Sequence, residues 1–251
     1  MTKVFDCNCC VGFSINPEEQ KTLYIEELIN VMELYGIDEV LVWNITSKNY
    51  DAKLGNKELI NRVNGTTNIH PCWIITPYQS LDFPTSTKLH KIMDENGIKC
   101  VRIWPSDVSS NFSLKPWIMN EFYHMLTEFK IPLFIELSET NWDEVYEIAV
   151  KYPKMPIVVT GVSYRDARYI FSIFELCKNV YIETSMYKAY RALECLIKRF
   201  GSDKILFGTG YPKYSIGSAL ALITYSMIKE DDKRKILYGN ITNLLSEVIM
   251  Q

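Results

Sequence analysis

A chain of 251 residues can bury one full core, and its 47% hydrophobic and 23% charged residues are those of a globular protein, which excludes a disordered or fibrous one. A net charge of −3 and the lack of any lysine-arginine run argue against nucleic acid as a partner. No apolar stretch approaches the roughly 20 residues of a membrane span, and no signal-peptide core precedes the first strand-like segment, so a cytoplasmic protein with no membrane partner is expected.

The first element is a strand over 4–9, followed by a helix whose apolar stripe is Ile25, Leu28, Ile29, Met32 and Tyr35, with Glu26, Glu27 and Glu33 on the other side. Further β-branched runs at 39–43, 71–76, 99–103, 132–137, 157–160, 180–183 and 205–207 alternate with helical patterns, including the stripes Val145, Ile148, Ala149, Tyr152 and Leu193, Leu196, Ile197, Phe200. Helix-ending glycines, Gly36, Gly97 and Gly201, come two to four residues before strands. Longer loops follow the strands, at 46–53, 78–84 and 105–115. Short turns at one end and long loops at the other are the asymmetry of a (β/α)8 barrel, whose functional face carries the long loops. Asn240 reads as the N-cap of a last helix, with Leu244, Leu245 and Val248, that closes the barrel. The fold expected is therefore α/β, a single (β/α)8 TIM barrel with a C-terminal closing helix, one domain over 1–251.

The seven cysteines are an odd number, spread over strands and helices, and read as reduced thiols. Strict alternation would put Cys7 and Cys9 on one face of their strand and Cys10 on the other, which disfavours one shared metal. The three histidines do not gather: His70 starts the third strand at the stability end of the barrel, and His90 and His124 lie in helices.

Several stretches carry a resemblance. Phe5-Asp6-Cys7-Asn8-Cys9-Cys10-Val11-Gly12 resembles the D-x-H-x-H-x-G opening of the amidohydrolase superfamily, in particular the small amidohydrolase-related barrels that include decarboxylases of aromatic acids. Ile131 to Glu136, Pro156 to Gly161 and Lys204 to Pro212 resemble its fifth, sixth and eighth strands, and Lys233 to Leu245 resembles its closing helix. The resemblance implies a metal-dependent barrel. At the ligand positions of that family, however, stand Asn8, Cys10, Glu136, Gly161 and Gly210, so no metal and no other cofactor is expected here. Cys10, Glu136 and Asp6 make an uncommon alternative ligand set.

Polar side chains remain at the mouth. Alternation places Asp6, Asn8 and Cys10 inward, and Glu136 points inward by the resemblance. Asp6, Glu136, Arg102 and Cys10 are the candidate catalytic residues: a desolvated carboxylate as base, an arginine for a substrate carboxylate, and a thiol with no histidine to activate it. Asn8, Trp43, Tyr78, Trp104, Glu183, Ser185 and Tyr211 are the candidate substrate contacts. The competing reading makes Asp6, Arg102 and Glu136 a purely internal ion-pair network. Three functions follow: a metal-free hydrolase or lyase acting on a small carboxylate-, aromatic- or sugar-like molecule, an inactive barrel that binds a small molecule or a partner protein, and a metal hydrolase with substituted ligands. The partner expected is a small-molecule ligand or substrate, with a homo-oligomer left open.

Overall fold

The computed structural model describes residues 2–13 and 23–250. Eight parallel strands follow one another in the expected order: Phe5–Val11, Glu39–Asn44, a third in two pieces (Ile69–Pro71 and Trp73–Ile74), Val101–Ile103, Leu133–Glu136, Ile157–Thr160, Val180–Glu183 and Ile205–Leu206. Each pairs with its sequence neighbour. The third strand is interrupted only at Cys72, whose N–H still bonds to the Val42 carbonyl at 2.8 Å. Strand eight returns to strand one. Cys7 donates its N–H to the Phe207 carbonyl at 2.9 Å, Gly210 donates to Asn8 at 2.8 Å, and Cys9 bridges Tyr211 in parallel. The chain is a TIM barrel.

Helices cover the outside because their apolar stripes have nowhere else to go. In helix Ile25–Tyr35 the buried residues are Ile25, Leu28 and Met32, while Tyr35, at the end of the stripe, is exposed. Gly36 ends that helix at φ 67°, where its missing Cβ removes the penalty of the left-handed region, and its N–H returns to Glu33. His70 sits low on strand three, 2.8 Å from Glu39 and stacked on Phe5, and His90 stacks on Phe129. Both play packing roles, as read from the sequence.

Two local expectations need correction. Asn240 is not an N-cap: Glu230–Arg234, Lys235–Gly239 and Asn240–Ser246 form a continuous helical run, and Asn240 lies inside it. Its side-chain amide instead donates to the Ser202 and Ile205 carbonyls, 2.7 Å each, which ties the closing helix to strand eight. The alternation in strand one is also broken. Asp6 pairs with Val40 but Cys9 with Val42, so one extra residue is accommodated between them as a bulge.

Candidate functional site

The bulge decides what strand one presents. Asp6 and Cys9, three apart, would face opposite sides of a regular strand, yet the Cys9 thiol donates to Asp6 Oδ2 at 2.9 Å. Asp6 is fully buried and collects three more donors: the Asn8 N–H at 3.0 Å, the Thr209 N–H at 2.9 Å and the Thr209 hydroxyl at 2.5 Å. Burial pushes its pKa up, against these hydrogen bonds. Asp6 is thus a clamp between strand one and the segment after strand eight, and it forms no part of the mouth cavity wall.

Arg102, on strand four and 1% exposed, organises the cavity floor. Its Nη2 donates to Asn8 Oδ1 at 2.9 Å, and its Nη1 lies 3.8 Å from Glu136 Oε2. The guanidinium carbon is 5.5 Å from the ring centre of Trp43 and 5.6 Å from those of Trp104 and Phe134, so three aromatic rings surround the cation. Nε and Nη1 have no hydrogen-bond partner among the described residues, and neither has the buried Nε1 of Trp104. The expected trio of Asp6, Arg102 and Glu136 is therefore revised. Asn8, not Asp6, joins the arginine, and its amide links onward to Glu183 at 3.3 Å.

Glu183 is buried below, held by the Ser185 N–H at 2.8 Å, the Ser185 hydroxyl at 2.5 Å and the Gly161 N–H at 3.2 Å. Desolvation raises its pKa, and the nearby Glu136 charge raises it further. Glu136 accepts the Thr160 hydroxyl at 2.7 Å. A cavity of about 330 Å³ opens above these groups, walled by Asn8, Cys10, Trp43, Arg102, Trp104, Glu136 and Tyr211 among others. Glu183 and Ser185 are candidate contacts that the structure puts beneath the floor instead, because each satisfies the other there. Tyr78 is absent from the wall too: its hydroxyl is drawn to Glu121 at 2.5 Å and its ring packs edge-on to Phe122, on the helix side of its loop.

The sequence reading missed Thr209, Lys48, Glu139 and Tyr214. Thr209 stands where the family's eighth-strand pattern has serine, a signal that a hydroxyl belongs there. Lys48 reaches over the Trp104 ring, 4.5 Å from its centre, and Glu139 is fixed by the Ser106 N–H and the Ser109 hydroxyl, 3.1 Å each. Tyr214 occupies the space over Gly210, whose missing Cβ would lie 2.7 Å from the ring, and Glu136 occupies the space over Gly161. Lys213 also lines the cavity, whereas Tyr164 is exposed and absent from its wall. Among the described residues no three His, Cys, Asp or Glu side chains gather in a way that holds a metal ion.

The amidohydrolase family model matches residues 84–246. The chain belongs to the amidohydrolase family. No curated protein sequence matches it. Solved structures do. A TIM-barrel protein from Bordetella bronchiseptica superposes with a TM-score of 0.76 at 17% identity, covering 98% of this chain and 99% of that one. A dihydroxybenzoic acid decarboxylase from Polaromonas, with manganese and 2-nitroresorcinol bound, gives 0.74 at 15% identity, with 98% and 97% covered. A 5-carboxyvanillate decarboxylase from Novosphingobium aromaticivorans, with manganese and 4-hydroxy-3-methoxy-5-nitrobenzoic acid, gives 0.77 at 12%, with 97% and 96% covered. At such identities these likenesses speak for the fold of this amidohydrolase-family barrel and not for its substrate. No helix among its described residues is long and apolar enough to cross a membrane.

Proposed function

We propose that the mouth cavity binds a small planar carboxylate and that Glu136, beside Arg102, moves a proton in a hydrolase- or lyase-type step that uses no metal at the family's usual position. The observation that carries this reading is Arg102, a buried cation in a cavity wall whose Nε and Nη1 have no hydrogen-bond partner among the described residues, Nη1 having only the Glu136 carboxylate at 3.8 Å. An unsatisfied buried donor costs about 1–3 kcal/mol, more when charged, and a ligand carboxylate would relieve that cost with paired hydrogen bonds. Trp43 and Trp104 offer flat surfaces for the body of such a ligand, and Glu136 is the candidate carboxylate that both reaches the cavity and keeps part of its surface open, 17% of the side chain.

The donor set does not fit a divalent ion. Asn8 Oδ1 is taken by Arg102, two of the family's ligand positions are glycines, and a guanidinium 3.8 Å from Glu136 would repel a dication. Calorimetric titration with 2,6-dihydroxybenzoate is the test. Arg102→Met should weaken binding by about tenfold or more, and Glu136→Gln should keep binding while abolishing turnover. Unchanged affinity in Arg102→Met refutes the carboxylate assignment, and a stoichiometric metal whose removal abolishes binding refutes the metal-free one.

A binding-only role for the same cavity is favoured by one observation: Asp6 and Glu183, the other two interior carboxylates, are both occupied by hydrogen bonds. Ligand recovered unchanged after long incubation with the intact protein decides for that role.

A further inference from the structure

Strand register turns Trp73 away from the barrel interior. Ile74 pairs with Arg102, whose side chain points in, so Trp73, paired with Val101, points out towards the helices. There it is 5% exposed, yet its buried Nε1 has no hydrogen-bond partner among the described residues. The indole forms part of the wall of a second cavity, about 550 Å³, between helices Ala52–Val63 and Ser86–Glu95, and that wall shares no residue with the mouth.

Ile60, Phe83, Leu89 and Ile92 give this groove an apolar lining. Lys53, Lys57 and Lys88, all exposed, put three ammonium groups on it against one carboxylate, Asp82, which already accepts the Ser80 hydroxyl at 2.6 Å. Leu81 stands at the same wall in the left-handed region, φ 68°, with its side chain 89% exposed. An apolar groove with an excess of positive charge and an unused buried donor matches one kind of occupant in size and chemistry.

We infer that this groove is a second binding site, separate from the mouth, for a small apolar organic anion whose oxygen accepts from Trp73 Nε1 and whose charge meets the lysines. Octanoate is the probe, titrated calorimetrically into the full chain with octanol as the neutral control. One octanoate per groove is expected, with octanol at least about tenfold weaker. Trp73→Phe should lower octanoate affinity about three- to tenfold, and the surface variant Lys53→Ala/Lys57→Ala/Lys88→Ala about tenfold or more. Arg102→Met should leave it unchanged, which keeps this result independent of the mouth. The inference is overturned if octanoate does not bind, if octanol binds equally well, if both groove variants bind as the parent does, or if Arg102→Met alone removes binding.

Discussion

Asp6→Ala should destabilise the barrel without touching its cavity. The substitution strips the acceptor from two backbone amides, Asn8 at 3.0 Å and Thr209 at 2.9 Å, and from the Thr209 hydroxyl and the Cys9 thiol. The two hydroxyl-type donors can turn to each other, since Cys9 Sγ and Thr209 Oγ1 are 3.8 Å apart, but the amides are fixed by the backbone. Two orphaned buried amides and the cavity left behind together cost about 3–5 kcal/mol. For a chain of this size that corresponds to a fall in Tm of about 6–20 °C. Urea unfolding followed by circular dichroism measures it, and a loss below about 1 kcal/mol refutes the clamp. Asp6→Asn keeps an acceptor for the amides and carries no charge, so it should retain most of the stability and change its pH profile. Burial raises the pKa of Asp6 in the folded state. Its contribution is therefore full below the unfolded value, about 4, and is lost as pH rises through the folded value. Asp6→Asn should flatten that decline, and an unaltered slope above about pH 4 counts against it.

Further outcomes follow from other contacts. Gly210→Ala forces a side chain at φ 66° and sets its Cβ 2.7 Å from the Tyr214 ring, so a loss of about 1–3 kcal/mol is expected together with a changed ligand affinity at the mouth; thermal unfolding and calorimetry read both. Asn240→Ala removes two 2.7 Å bonds to the Ser202 and Ile205 carbonyls and should cost about 2–3 kcal/mol while leaving ligand affinity as it was. Tyr78→Phe, off the cavity wall and hydrogen-bonded to exposed Glu121, should stay within about 0.5 kcal/mol of the parent and bind ligand equally.

The barrel was legible because its signals are repeated: each strand is a short apolar run, each helix an amphipathic stripe, and Gly36 marks a helix end that the chain uses as expected. The mouth residues at the ends of strands two and four, Trp43 and Trp104, were legible for the same reason. The bulge was not, since Asp6-Cys7-Asn8-Cys9 contains no glycine to mark it and bulge geometry is set by pairing with a distant strand. From that one extra residue follows the misplacement of Asp6 beside Arg102. Tyr78 was misread differently: its position in a loop after strand three was right, but Glu121, 43 residues later, decides which way its hydroxyl turns. Sequence distance hides such partners.

The side chain over Gly161 bears on the order in which this site can change. A Cβ built there would collide with Glu136 Oε1 and lie 2.8 Å from its carboxyl carbon, at a φ of 70°. A histidine introduced at position 161 alone would meet an occupied space, whereas Glu136 replaced first, by a smaller residue, would vacate it. Installing metal ligands here by stepwise substitution therefore has a preferred direction: 136 before 161, with Arg102 exchanged before any dication is offered. In the reverse order the first substitution sets a β-carbon at φ 70° against the Glu136 carboxylate and forces that side chain aside, so it is the uphill step.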